Sequence, residues 1–272
     1  PLFDGASALA GRDLDSWRAE ACDLVIGIYG NAPVAVIKDP RICQLLPFWE
    51  SVFAAAGYAS DDVFYLHTLR NPVEVALSQQ QRAESNRDFY EFGRYLPEGA
   101  ALWFSLTAQS LLASRNLPVY YLSYEALLTE PQQVLQALAA FTGLQPDPAV
   151  AAEFCDSFVD PALYRSSATD AARDELAGAF PELLELWDCV RELSGEARTA
   201  LDRVIDQCQW IYERDETRQR LGGKPVLDRL VVVCRNQPVQ KALTPVGHCR
   251  SPLLSGHIVI RQHGGELRKA FR

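Results

Sequence analysis

An arginine and a serine eight residues apart offer the chemistry of an anion site. Arg70 ends an apolar run in the segment LHTLRNPVEVALSQQQR, residues 66–82, and Asn71 and Pro72 follow it directly. The planar guanidinium of an arginine forms bidentate hydrogen bonds with a phosphate, and the hydroxyl of Ser78 adds a further donor. These residue types at this spacing therefore predict a site for a phosphate or a similar anion.

The elements that must position these two side chains are a short strand and a helix. Val63–Thr68 has the continuous apolar character of a buried strand. Pro72–Arg82 is predicted to be a helix that begins at once, since Asn is a favourable N-cap and Pro a favourable first helical residue. Arg70 then lies at the carboxyl end of a strand, beside a helix N-terminus, which is where an open α/β sheet binds its ligands.

Two further predicted strands also end in polar residues. The run PVAVIK, residues 33–38, ends in Lys38 and is followed by Asp39, and the run PVYYLS, residues 118–123, is followed by Tyr124. Helical patterns separate the three strands, which predicts a parallel sheet with right-handed crossovers and all three ends on one side. Cations for phosphates and an aromatic face for a base suit a nucleotide with several anionic groups.

These segments resemble the sulfotransferases that use 3′-phosphoadenosine 5′-phosphosulfate (PAPS), in particular the bacterial members. The resemblance is carried by LRNPVEVALS, VYYLSYEALLTEP and VIKDPRICQLLPFW, with FTGL and FVDPALYR in addition, and it spans roughly residues 14–190. It implies a P-loop-kinase-like α/β fold, in which helices flank a parallel β-sheet. It also implies transfer of a sulfuryl group from PAPS to a hydroxyl or amine of a small molecule or glycan.

The same resemblance implies roles for individual residues. Arg70 and Ser78 would hold the 3′-phosphate of the donor, and Tyr124 would contact its adenine. Lys38 would be the cation near the transferring sulfuryl group. Asp39 is the carboxylate whose position best suits a general base. Such a transfer requires no metal, because positioning and cationic stabilisation supply most of the catalysis.

One signature of the family is not found in this sequence, namely a strand followed by a loop with Lys or Arg, Ser, Gly and Thr. The family pattern places it before Lys38, and a chain that begins with Pro1 and contains no Met is expected to lack an N-terminal part. In some relatives a His two residues after the strand lysine acts as base, but that position is Pro40 in this chain. Two other hypotheses stay open: a P-loop-kinase-like phosphotransferase, and a non-catalytic nucleotide-binding or interaction protein that keeps the sheet.

Each candidate residue also has a purely structural interpretation. Arg70 could be a strand-end charge paired with Glu74, four residues further on. Tyr124 could be a half-buried core aromatic, and Lys38 could pair with a neighbouring carboxylate. His67 lies inside a predicted strand and is expected to be a hydrogen-bonded core residue rather than a base.

The charge of the chain is unevenly divided. Residues 224–272 carry nine Lys/Arg and two Asp/Glu, whereas the net charge of the whole chain is −9. An acidic body argues against a nucleic-acid binder. From Asp147 to Leu221 the recognisable patterns are helical, which predicts a helical C-terminal half. We expect a sulfotransferase-like domain over residues 1–223 and a basic extension over residues 224–272, in which RLVVVC and GHIVI are candidate strands.

Composition also bears on the location of the protein. No apolar stretch is long enough to span a membrane, and no signal peptide opens the chain. The seven cysteines are scattered and form neither a CxxC pair nor a metal-ligand spacing. Such thiols are typical of a reduced, cytoplasmic protein.

Overall fold

The structure is a computed structural model of the chain. It describes residues 13–38, 42–85, 93–159, 168–195, 198–214, 217 and 256–261. The architecture is α/β: helices flank a small sheet that contains one parallel pair of strands. Between residues 148 and 214 the described chain is mostly helical, so the predicted helical C-terminal part is confirmed.

The described residues form one mixed sheet. Its strands are β1 Val34–Lys38, β2 Val63–Leu69, β3 Val119–Ser123 and β4 Gly256–Arg261. The strand order is β1-β4-β2-β3. β2 and β3 pair in parallel, whereas β4 is antiparallel to both of its neighbours, β1 and β2. The three strands that the sequence predicts upstream of residue 124 therefore run in the same direction, as expected.

The sequence predicts a parallel sheet, and for the strand from the basic extension this prediction is wrong, since that strand is antiparallel to both of its neighbours. β4 separates β1 from β2, because Lys38 of β1 and Leu66 of β2 both pair with His257. A short apolar run such as GHIVI has the character of a strand in the middle of a sheet, but the run does not encode its neighbours or its direction. GHIVI is confirmed as a strand, and RLVVVC lies outside the described residues.

The helices largely follow the local signals of the sequence. Many begin with a proline in the first turn, where the missing N–H is not needed, and the helix Pro131–Thr142 is capped by Gly143, whose φ of 67° is in the left-handed region. Their bounds are α1 Leu14–Tyr29, α2 Leu46–Ala55, α3 Pro72–Ser85, α4 Leu96–Ala113, α5 Tyr124–Thr129, α6 Pro131–Thr142, α7 Pro148–Glu153, α8 Asp170–Ala179, α9 Pro181–Val190 and α10 Arg198–Glu213.

The two faces of the sheet bury different clusters of side chains. Tyr65 and Tyr121 belong to the main core, which they share with helices α1–α4 and α8–α10. Tyr120 belongs to a second cluster, in which Val134 and Phe141 of α6 also pack. Because successive residues of a strand point to opposite faces, Tyr120 and Tyr121 mark the two sides of the sheet. The sheet thus has a helical layer on each side of the β2–β3 pair.

Helices α3 and α4 approach each other closely. A Cβ atom on Gly99 would lie 3.0 Å from the Cα atom of Ala76, so a larger residue there would push the two helices apart. This close approach lets Trp103 of α4 reach the end of β2, where its indole Nε1 donates a hydrogen bond to the carbonyl oxygen of Arg70 over 3.1 Å. The packing of two helices therefore fixes the backbone at the predicted site.

No helix among the described residues combines the length and the apolar character needed to cross a bilayer. The cysteines in the same part of the chain are Cys22, Cys43, Cys155, Cys189 and Cys208, and they are all free thiols. Burial raises the pKa of the Cys208 thiol to about 12, which keeps this side chain protonated.

Candidate functional site

The register of the parallel pair brings two of the predicted site residues together. Leu69 of β2 pairs with Ser123 of β3, and the next residues along the two strands are Arg70 and Tyr124. The Cζ atom of Arg70 lies 4.7 Å from the centroid of the Tyr124 ring, which is a cation–π contact. A guanidinium and an aromatic ring thus stand face to face at the carboxyl end of the sheet.

The turn after Arg70 forms as the sequence predicts. The side-chain oxygen of Asn71 accepts a hydrogen bond from the backbone N–H of Val73 over 2.9 Å, and the carbonyl oxygen of Asn71 accepts one from Val75 over 3.1 Å. Asn71 therefore caps α3, and the helix begins at Pro72. Ser123 does the same for α5, since its Oγ accepts a hydrogen bond from the N–H of Ala126 over 3.2 Å.

Arg70 forms the ion pair that the structural interpretation predicts. Its Nε lies 3.3 Å from Oε2 of Glu74, and both side chains are buried, with 6 % and 7 % of their surfaces exposed. A buried charge requires a partner of opposite sign and further hydrogen bonds. Arg70 has both in this structure, because its guanidinium contacts the Glu74 carboxylate and the Tyr124 ring.

The pKa of the Glu74 carboxyl is raised, although the guanidinium of Arg70 lies beside it. Burial is the largest influence and raises its pKa, while the hydrogen bond and the charge of Arg70 lower it in part. The negative charge of Glu125 raises the pKa again, and a hydrogen bond from the backbone N–H of Ala168 lowers it. The charges of Arg70 and Glu125 therefore act on the Glu74 carboxyl in opposite directions.

Ser78 lies on the second turn of α3, four residues after Glu74, and residues four apart share one face of a helix. Its side chain is half-buried, and its hydroxyl makes no hydrogen bond within the part of the chain that the structure describes. Glu74 and Ser78 thus lie on one face of α3, which begins two residues after Arg70.

Lys38 ends β1 and does not lie beside Arg70. Lys38 and Leu66 both pair with His257, and Arg70 lies four residues beyond Leu66. With about 4.8 Å between adjacent strands and about 3.3 Å per residue, the Cα atoms of Lys38 and Arg70 are roughly 16 Å apart. The backbone positions of Lys38 and Arg70 are therefore not adjacent, and a ligand that contacts both residues has to extend between them. Asp39 lies outside the described residues.

A polar cleft of about 200 Å³ adjoins the arginine, because it is lined by Asn71 and by Ala168, whose N–H reaches Glu74. This cleft is smaller than the pockets of roughly 300–1,000 Å³ that enclose drug-sized ligands. Its charged residues are Asp170, Arg173, Asp188 and Arg191. Within the described ranges, no group of three or more His, Cys, Asp or Glu side chains could hold a metal ion.

His67 is confirmed as a buried, hydrogen-bonded residue of the core. Its Nδ1 lies 3.3 Å from Oγ of Ser110 on α4, and its ring lies beside the ring of Tyr121 with a centroid distance of 5.7 Å. Burial lowers its pKa to about 4, so the imidazole is neutral at physiological pH.

Sequence reasoning missed three groups that act on the site: the indole of Trp103, the charge of Glu125 and the backbone N–H of Ala168. Glu125 follows Tyr124 directly, so its position next to a predicted site residue was a usable signal. Trp103 and Ala168 are distant in sequence from Arg70, and no local pattern relates them to it.

A comparison of the chain with models of protein families, with curated protein sequences and with solved structures finds no match. The interpretation of the site therefore rests on its own geometry and on the residues that carry the sequence resemblance.

Proposed function

We propose that this chain is a PAPS-dependent sulfotransferase with a P-loop-kinase-like fold. The observation that carries the proposal is the contact between the Arg70 guanidinium and the Tyr124 ring at the adjacent ends of β2 and β3. A nucleotide with a phosphate on its ribose needs a cation and an aromatic surface close together. The sequence resemblance assigns these same two residues to the 3′-phosphate and to the adenine.

The remaining residues of the proposed site extend from this pair in two directions. Ser78 donates a hydrogen bond to the 3′-phosphate from the second turn of α3, on the face that carries Glu74. Lys38, roughly 16 Å away across the sheet, provides a cation for the opposite end of the donor. The spacing supports a ligand whose two anionic ends are held separately.

The chemistry required of these residues is mainly positioning and charge stabilisation. The acceptor oxygen or nitrogen attacks the sulfur in line, the bond from sulfur to the bridging oxygen breaks, and 3′-phosphoadenosine 5′-phosphate leaves. Negative charge develops on the sulfuryl oxygens and on the leaving phosphate, where the ammonium of Lys38 stabilises it. Asp39 is proposed to take the proton of the acceptor, which is a hydroxyl or amine of a small molecule or glycan.

The nucleotide part of the proposal is tested by calorimetry with three ligands. 3′-Phosphoadenosine 5′-phosphate should bind at least about tenfold more tightly than adenosine 5′-phosphate, because a charged hydrogen bond contributes roughly 1.5–3 kcal/mol. Adenosine 2′,5′-bisphosphate is the matched control, since it has the same charge with the phosphate moved by one atom. Equal affinities for the three nucleotides would overturn the assignment of Arg70.

The catalytic part is tested by sulfuryl transfer from labelled PAPS to a panel of hydroxyl and amine acceptors. Lys38→Ala should lower turnover of the complete protein by about 10²–10³-fold, because a group that stabilises transition-state charge has an effect of this size. The affinity for the bisphosphate product should change far less. Lys38→Arg keeps the charge and should retain part of the turnover. Parallel losses of affinity and turnover in Lys38→Ala would contradict the proposed role.

The second candidate function is non-catalytic nucleotide binding. It is favoured by one observation: Arg70 already has an internal partner, since its Nε lies 3.3 Å from Oε2 of Glu74. A complete chain that binds the bisphosphate but transfers no sulfuryl group to any acceptor would make this the better assignment.

A further inference from the structure

The carboxylate of Glu74 occupies the position on Arg70 that an anionic ligand would need. Oε2 of Glu74 lies 3.3 Å from Nε of Arg70, in the first turn of α3. A helix N-terminus favours negative charge there, whether it comes from the protein or from a ligand. The backbone N–H of Ala168 holds the same carboxyl from the neighbouring segment. An internal anion thus fills the site that the proposed function assigns to a phosphate.

The charges around this pair do not leave room for a second anion without a change. Glu74 lies in the electrostatic field of Glu125 as well as that of Arg70, and the guanidinium of Arg70 lies over the ring of Tyr124. The charged residues that line the neighbouring cleft are two aspartates and two arginines, which balance one another: Asp170, Asp188, Arg173 and Arg191. A phosphate dianion added at Arg70 would lie beside the Glu74 carboxylate, with the charge of Glu125 acting on the same carboxyl, which is strongly unfavourable in a buried site.

We propose that Glu74 is a built-in competitor for the ligand phosphate, so that the nucleotide binds Arg70 only as Glu74 takes up a proton and gives up its ion pair. This inference rests on the proposed function, because it assumes that Arg70 binds a phosphate. Protonation removes the like charge, and the neutral carboxyl can then donate a hydrogen bond to the phosphate. Glu74 consequently sets the affinity of the site and makes it depend on pH.

The raised pKa of Glu74 in the free protein agrees with this role, since burial and Glu125 already favour the neutral form. A bound dianion would raise the pKa further. Binding should therefore tighten as the pH falls toward the range in which Glu74 takes up its proton. At lower pH the ligand is itself protonated, because the second ionisation of a phosphate monoester has a pKa of roughly 6. A variant without the titrating group is needed to separate the two effects.

The experiment is calorimetry of 3′-phosphoadenosine 5′-phosphate with the full chain, in buffers of low and high ionisation enthalpy, from about pH 6 to pH 8. The difference between buffers gives the number of protons taken up. The wild type should take up protons on binding. Glu74→Gln, which keeps the shape and the oxygen that accepts from Ala168, should bind about tenfold more tightly with that uptake abolished. Glu84→Gln is the matched control, because Glu84 is exposed on the same helix and should behave like the wild type.

The outcomes separate this inference from the proposed function. Proton uptake by the wild type that is lost in Glu74→Gln supports it, and uptake by the wild type at about pH 8, where the ligand phosphate is fully ionised, supports it even if the variant folds poorly. Binding without uptake, or uptake that persists in Glu74→Gln, overturns it and leaves nucleotide binding intact. Binding by Glu74→Gln alone supports the competitor role in its strongest form. If neither protein binds the bisphosphate at any pH, both proposals fail.

Discussion

His67 and Arg70 lie three residues apart in the chain and are equally buried, each with 7 % of its surface exposed. The groups that surround the two side chains are nevertheless of different kinds. His67 is inside β2, where it is neutral and has Ser110 as a hydrogen-bond partner. Arg70 is one residue past the end of the same strand, where it keeps its charge and is surrounded by a carboxylate, an aromatic ring and the start of a helix.

The difference shows that burial alone does not distinguish a core residue from a site residue. A histidine can lose its proton, so burial lowers its pKa and the neutral imidazole fits in the core. An arginine cannot lose its proton, and the fold must supply an anion for it. In this structure that anion is the carboxylate of Glu74. A ligand anion that replaced Glu74 would change the contacts of Arg70.

Removal of the arginine should give the largest effect. Arg70→Met leaves Glu74 buried without its partner, which should lower the free energy of unfolding by about 3–5 kcal/mol at neutral pH. The loss should shrink toward pH 5, because the stability that a carboxyl with a raised pKa contributes is present in its protonated form and is lost as the pH rises through that pKa. Urea unfolding at both pH values measures this.

Two further variants sharpen the same test. Arg70→Met combined with Glu74→Leu should recover much of the stability, since the buried charge is gone, but should not recover nucleotide binding. Arg173→Met, at an exposed arginine of the neighbouring cleft, should change the free energy of unfolding by less than about 0.5 kcal/mol. An Arg70→Met protein as stable as the wild type at neutral pH would show that the pair is not structural.

The pH dependence of His67 should give the next largest effect. Its pKa is depressed from 6.5 to about 4, so its contribution to stability is present above pH 6.5 and is lost as the pH falls through about 4. A shift of this size corresponds to about 3 kcal/mol. His67→Gln can keep a hydrogen bond to Ser110 but does not titrate, so its stability should fall less than that of the wild type between pH 7 and pH 4. Identical pH profiles of the unfolding free energy would refute the neutral core histidine.

The aromatic partner of Arg70 should have a moderate effect on the ligand rather than on the core. Tyr124→Leu should weaken binding of 3′-phosphoadenosine 5′-phosphate by about 1–3 kcal/mol, the usual size of base–aromatic stacking. Tyr124→Phe keeps the ring and should bind nearly as well as the wild type. Calorimetry of the two variants checks this, and an equal loss in both would mean that the hydroxyl of Tyr124 matters rather than its ring.

The smallest effect is expected at Ser78. Ser78→Ala should weaken bisphosphate binding by about 0.5–1.5 kcal/mol, the contribution of one neutral hydrogen bond, and should leave the melting temperature unchanged. Ser85→Ala, on the same helix but with its hydroxyl bonded to the carbonyl oxygen of Gln81, is the control that should not alter binding. Unchanged affinity in Ser78→Ala would remove this serine from the proposed site.

The local elements of this protein could be predicted from its sequence. Continuous apolar runs marked β1, β2 and β3, and Asn71 with Pro72 marked the start of α3, because hydrophobic periodicity and helix capping act over a few residues. The order of strands and helices then placed Arg70 and Tyr124 at strand ends that face the same side. The prediction of their proximity followed from the parallel pairing of two strands along the chain.

Only the tertiary structure decided which groups share the site. The sequence could not assign β4 to the gap between β1 and β2, and so could not show that Lys38 is separated from Arg70. Glu74 was a candidate partner by its spacing, but the other groups that act on the pair belong to Trp103, Ala168 and Glu125, which come from other elements. The physical reason is that burial and strand pairing bring together residues that are distant in the chain. A local sequence pattern does not determine which distant residues these are.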